Sequence, residues 1–261
     1  IIIISALLMG VNGVIAFILL FIISEQQSGR DPINKHGLAK GKSRLGGVTI
    51  ALSIIIGCCS HLFFLKEFGY QSLFMELTPI IFLSLLIGVI GLIEDFNQNL
   101  SSIKRLSLML FMVSIGLYMM PELIPVNLPV FMLVDLNDSF MAVYLFTVLM
   151  ICGFINAGNM ADGANGLLAT IFFGFFLVAY SLDNSIFNFS VIISLIAFII
   201  FNVTTGKIFL GDFGAYTFSA LVALKSLEFY ANYDLSVFFL GSIVVYPCFE
   251  IIRSMIVRSL R

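Results

Sequence analysis

The sequence predicts an all-α polytopic membrane protein, and three observations predict it. Of the 261 residues, 60% are hydrophobic and only 11% charged, with a mean hydropathy of +1.11. A soluble domain carries about 45–50% apolar and about 25% charged residues. The apolar residues gather into nine runs near the length of a bilayer-crossing helix, about 20 residues. The cations sit almost entirely on one side of those runs.

The nine spans are read as follows. Residues 1–24 form a long unbroken run. No small-residue cleavage pattern follows it, so it reads as a span and not as a signal peptide. Ile1 is not an initiator methionine, which predicts further residues upstream. The second run, 46–65, leaves a basic, glycine-rich loop. The third and fourth, 79–93 and 106–120, are short, a length tolerated where helix ends line a polar cavity. Runs 139–157 and 165–182 flank the polar segment NAGNMADGANGLL. Runs 189–203 and 215–230 flank NVTTGKIFLGDFGAY. The ninth, 237–252, contains Pro247.

Nine crossings make the connections alternate between two faces. One face holds Arg30, Lys35, Lys40, Lys42, Arg44, Lys104, Arg105, Lys207, Arg253, Arg258 and Arg261. The other holds Lys66, with Lys225 at a nearby helix end. The positive-inside rule makes the first face cytoplasmic and starts the chain outside. The external segment 121–138, with three prolines followed by Asp135 and Asp138, reads as an ordered loop or short hairpin.

Several function classes fall away. A net charge of −2 gives no reason for a nucleic-acid partner. Cys58, Cys59, Cys152 and Cys248 lie in apolar runs and read as packing residues. No glycine-rich loop ending in Gly-Lys-Ser/Thr is present, so an ATP-driven pump of that type is unsupported. No repeat or linker divides the chain, which reads as a single domain over 1–261.

Ionisable groups are costly in hydrocarbon, so each acid near a span needs a reason. Four clusters map to the cytoplasmic face. Glu94 and Asp95 close the third span. Asn156, Asn159, Asp162 and Asn165 recur every three residues and would share one face of a continuous helix. Asp212 stands between Gly211 and Gly214, with Asn202 and Lys207 upstream. KHGLAKGKSRLGG, residues 35–47, supplies cations that suit either lipid headgroups or a phosphorylated substrate. Carboxylate and amide oxygens suit Mg²⁺, which joins one or two carboxylates to substrate phosphates. No Cys/His cluster suggests zinc.

These segments resemble the polyprenyl-phosphate N-acetylhexosamine-1-phosphate transferases. That family includes undecaprenyl-phosphate GlcNAc-1-phosphate transferases and the phospho-MurNAc-pentapeptide transferase. NAGNMADGANGLL, KIFLGDFGAY and GLIEDF stand in family order, and the likeness runs from residue 35 to YPCFE at 246–250. GKIFLGDFGAY looks closer to the GlcNAc-1-phosphate branch. The resemblance implies a multi-pass enzyme of the bacterial inner membrane with ten or eleven spans. It would move a sugar-1-phosphate from a UDP-N-acetylhexosamine to polyprenyl (undecaprenyl) phosphate and release UMP, beginning a lipid-linked cell-envelope glycan. It implies Mg²⁺, with Mn²⁺ as the substitute, held by Asp212 and Asn159. Glu94, Asp95, Asp162 and Asp212 form the implied catalytic set, with Glu94 and Asp95 beside the attacking lipid phosphate. Asp162, Asn165, Asn202 and Phe209 would line the uridine and diphosphate pocket. Lys42, Arg44, Arg105 and Lys207 would hold phosphate charge, and Asn156 belongs to the same polar segment. A homodimer is the family's assembly.

Three features depart from the family pattern. Glu94 replaces the first of two aspartates. Asn165 replaces the second acid of Asp-Gly-x-Asp. A histidine-rich loop and last helix are expected after the ninth span and are not found before Arg261. The alternatives left open are a pentapeptide-type transferase, a transporter and an inactive homologue. Transporter sites usually lie at the bilayer midplane between related halves, whereas these acids gather at one face.

Overall fold

Backbone polar groups have no water partner in hydrocarbon, so a spanning chain must satisfy them within helices. The computed structural model describes residues 2–26, 41–65, 71–97, 100–125, 140–233, 235–243 and 245–259. Its elements are α1 (Ile2–Glu25), α2 (Gly46–Leu65), α3 (Gln71–Asn97), α4 (Ser102–Met119), a 3₁₀ turn (Pro121–Leu123), α5 (Phe140–Ala161), α6 (Leu167–Asp183), α7 (Ile186–Thr205), α8 (Gly211–Asn232), α9 (Val237–Ile243) and α10 (Val245–Ser259). Among the described residues the extended pairing is a single parallel bridge between Ser43 and Ile208. The chain is an all-α membrane protein. Pro79–Asn97, Ser102–Met119, Phe140–Ala161 and Ile186–Thr205 are each long and apolar enough to cross a bilayer.

Several elements differ from the sequence expectation. α3 extends past 79–93 at both ends and contains Pro79. Its acidic end stays helical because Glu94 and Asp95 find partners there. α4 starts at Ser102, not 106, since Ser101 caps it by accepting the Lys104 N–H at 3.4 Å. α8 starts at Gly211, not 215, so Asp212 lies in a helix's first turn, where an acid suits the helix dipole. The stretch 237–252 holds α9 and α10, and α10 continues to Ser259. Of the expected external loop 121–138, residues 126–138 lie outside the described residues, as do Arg30, Lys35, His36, Lys40, Lys66 and Arg261.

The core is built around α8. Nearly every residue from Gly211 to Leu224 is buried, with α2, α3, α5 and α6 packed around it. Small residues let backbones approach this closely. A Cβ at Gly91 of α3 would run into the Asp212 carbonyl, and one at Gly47 of α2 into the Gly214 Cα. The outer helices turn Phe111, Tyr118 and Met119 of α4 and Phe140 and Leu149 of α5 outward, as lipid-facing surfaces require.

Candidate active site

The ends of α3, α5 and α7 and the starts of α2, α4, α6 and α8 meet in one place. A short backbone ladder holds the basic loop there. Ser43 N–H donates to the Lys207 carbonyl at 3.2 Å, and Phe209 N–H to the Ser43 carbonyl at 2.7 Å. Gly46 and Gly47 donate to the carbonyls of Phe209 and Leu210 at 2.9 and 2.7 Å. Asn202 Nδ2 donates to the Ile208 carbonyl and steadies the same segment. Gly211, at φ 76°, then turns the chain into α8.

Asp95 is fully buried and reaches across from α3 to cap α8. Its Oδ1 accepts the Asp212 N–H at 3.0 Å and its Oδ2 the Phe213 N–H at 2.9 Å. Arg44 Nε lies 3.3 Å from Asp95 Oδ1, and Arg44 Nη2 lies 2.9 Å from Asp212 Oδ1. On the other side, Arg105 Nη1 lies 3.4 Å from Asp212 Oδ2 and 4.0 Å from Glu94 Oε1. Glu94 Oε2 accepts the Leu100 N–H at 3.1 Å. The Tyr216 hydroxyl accepts from Arg105 at 3.4 Å and from Asn159 Nδ2 at 3.5 Å.

Beside Asp212 opens a cavity of about 630 Å³. Of the sequence-predicted residues, Lys42, Arg44, Asn159, Asp162, Asn165, Asn202, Phe209 and Asp212 line it. Lys42 Nζ stands 5.4 Å from the Phe209 ring centroid. Burial and the nearby Asp212 charge push the Asp162 carboxyl up to about 7, against the opposing pull of Arg44 and the Gly211 N–H. Glu94, Asp95 and Arg105 stand behind Asp212 and are not part of the cavity wall.

Two predicted residues sit elsewhere. Asn156 Nδ2 bonds the Cys152 carbonyl at 2.8 Å and reaches Met109 Sδ at 3.8 Å, one turn deeper in α5. The continuous polar stripe does not form, because α5 ends at Ala161 and residues 162–166 turn into α6. Lys207 Nζ pairs with Glu25 Oε1 at 2.9 Å on the exposed rim. Tyr216 was not among the candidates. The available signal was its spacing, four residues after Asp212 on one helix face.

Among the described residues, no three His, Cys, Asp or Glu side chains form a metal cage. The oxygens of Asp212 and Asn159 at the cavity wall are nonetheless hard donors. They fit Mg²⁺ or Mn²⁺, which take one or two carboxylates and complete their shell with water and substrate phosphates.

The family described as Glycosyl transferase family 4 matches residues 77–230. The chain is similar to the phospho-N-acetylmuramoyl-pentapeptide-transferase of Staphylococcus epidermidis, 28% identical over 230 residues, covering 80% of this chain and 68% of the relative. It is similar to the enzyme of that name from Halalkalibacterium halodurans, 28% identical over 239 residues, covering 85% and 70%. Staphylococcus carnosus has another, 27% identical over 238 residues, covering 83% and 71%. The chain belongs to glycosyl transferase family 4.

Proposed function

We propose that this family-4 transferase moves an N-acetylhexosamine-1-phosphate from a UDP-sugar to polyprenyl phosphate, with undecaprenyl phosphate as the lipid, and releases UMP. The observation that carries the reading is the cavity wall, where Asp162 and Asp212, the amides of Asn159 and Asn165, and the cations Lys42 and Arg44 face one space. That combination suits a nucleoside diphosphate and a hard divalent cation. A lipid phosphate oxygen attacks the β-phosphorus. The bond from that phosphorus to the bridging oxygen breaks, UMP leaves with the electron pair, and the sugar C1–O bond survives. Such chemistry needs alignment and charge neutralisation more than covalent catalysis.

In this reading Asp212 and Asn159 would hold Mg²⁺, which would supply neutralisation of diphosphate charge. Tyr216 orients the Asn159 amide. Lys42 and Arg44 neutralise diphosphate oxygens. Asp162, Asn165 and Phe209 bound the nucleoside, and Asn202 braces the Ile208–Phe209 segment beneath it. Asp95 positions Asp212 by capping α8, while Glu94 and Arg105 face the lipid phosphate. The cavity faces the cytoplasm of a bacterial inner membrane in a nine-span domain with its N-terminus outside, assembled as a homodimer. The cation asymmetry and the meeting of alternate helix ends at the cavity support that orientation.

The test is UMP release by purified protein in detergent with Mg²⁺, undecaprenyl phosphate and a panel of UDP-sugars. UDP-GlcNAc and UDP-MurNAc-pentapeptide separate the two branches. Release that needs both lipid and cation supports the proposal. No release with any UDP-N-acetylhexosamine from folded protein overturns it.

A further inference from the structure

The two oxygens of Asp212 meet two arginines from different parts of the chain. Arg44 comes from the loop before α2 and holds Oδ1 at 2.9 Å; Arg105 comes from the first turn of α4 and holds Oδ2 at 3.4 Å. Arg44 lines the cavity and Arg105 does not. Each guanidinium keeps a second contact with this acidic site: Asp95 Oδ1 at 3.3 Å for Arg44, and Glu94 Oε1 at 4.0 Å for Arg105. Both are about one-fifth exposed, 19% and 21% at the side chain, so each guanidinium-bearing side chain reaches solvent.

A cation ligated by Asp212 therefore competes with bound guanidinium for the same oxygens. Once displaced, the guanidinium sits beside a divalent cation, and the two repel unless an anion comes between them. Phosphate oxygens are strong partners for a freed arginine, often by two parallel hydrogen bonds.

We propose that Arg44 and Arg105 form a latch on Asp212 that makes divalent-cation binding and phosphate binding depend on one another. The cation binds weakly while both arginines hold Asp212. A diphosphate group that takes up a released guanidinium raises cation affinity, and by linkage the cation raises diphosphate affinity by the same factor. This rests on the reading of Asp212 as a cation ligand. It adds a positioning role for Arg105, exerted through Asp212 and outside the cavity wall.

The test is a Mn²⁺ titration of the purified full chain in detergent, read by electron paramagnetic resonance. It is run with and without UDP and corrected for Mn²⁺ that UDP binds in protein-free buffer. In the unaltered protein UDP tightens Mn²⁺ about tenfold, within the usual range of coupling between sites. Arg105→Gln binds Mn²⁺ alone about tenfold more tightly and loses part of the UDP enhancement, the rest running through Arg44. Arg105→Lys, which keeps the charge, restores the enhancement in part. General damage to the site would weaken Mn²⁺ binding, the opposite sign. If Arg105→Gln does not fold, Arg44→Gln is held to the same criterion. Unchanged or weaker Mn²⁺ binding in the folded glutamine variant overturns the latch. Binding that survives Asp212→Asn unchanged overturns the cation reading together with the latch.

Discussion

The two ends of α8 both carry buried charge, and they differ in what surrounds it. At its start, Asp212 meets Arg44 and Arg105 beside an open cavity, with Asp95 beneath. Toward its other end, Lys225 is fully buried. Its Nζ lies 3.0 Å from Glu228 Oε2, 3.5 Å from Asp183 Oδ2 and 4.9 Å from the Phe229 ring centroid. Asp183 is further satisfied by Asn188 Nδ2 at 2.8 and 2.9 Å and by the Ser185 N–H at 2.8 Å. That cluster ties the α6–α7 turn to α8. A buried ion pair is weak evidence for function by itself, since structural networks also bury charge. What separates the two ends is access: a substrate reaches Asp212 through the cavity, whereas Lys225 has no exposed surface.

Variants sharpen this contrast, beginning with the largest effect. Asp212→Asn is expected to lower turnover by about 10³-fold, equivalent to the several kcal/mol a bound cation contributes, with a smaller fall in the thermal midpoint than a lost buried pair gives, because Arg44 and Arg105 each keep a second carboxylate partner. A steady-state UMP-release assay on folded protein measures it. Lys225→Ala should do the reverse. Removing one partner of a buried pair costs about 3–5 kcal/mol, so the unfolding midpoint falls markedly while turnover per folded molecule stays near that of the parent. Equal kinetic losses in the two variants would erase the distinction.

Asn159→Ala should raise the Mg²⁺ concentration for half-maximal rate by about tenfold, on the scale of losing one contact that holds or orients a ligand. Saturating Mg²⁺ should restore most of the rate. Asp162→Ala should act mainly on the nucleotide, raising KM for the UDP-sugar by about tenfold, the equivalent of one hydrogen bond to a charged group. Lys207→Ala should change kinetics less than about twofold, because its exposed pair with Glu25 is the kind that contributes under about 1 kcal/mol.

The sequence carried the site's chemistry further than its geometry. Hydropathy found most helices, because a lipid-facing surface must be apolar. It shortened α8 to 215–230, because Gly211–Gly214 reads as a turn when only Gly211 turns the chain and Gly214 admits Gly47 of α2. α8 lies inside the bundle, so its residues answer to packing partners and not to lipid. The polar motifs named eight of the residues that line the cavity, since only chemistry keeps such groups beside a span. Asp95 capping α8 across 117 residues, and Arg105 reaching Asp212 across 107, leave no mark in a single sequence. Asn156 and Asn159 look equivalent as text and differ by one helical turn of depth.

The most direct measurement follows the β-phosphorus. UDP-GlcNAc and UDP-MurNAc-pentapeptide labelled with ³²P at that atom are incubated with undecaprenyl phosphate and Mg²⁺, and the lipid is extracted. The account predicts label in the lipid fraction with at least one of them. That label should vanish with EDTA, vanish with Asp212→Asn and persist with Lys225→Ala. Label that stays in the aqueous phase with both donors, or that Asp212→Asn transfers as well as the parent, would contradict it.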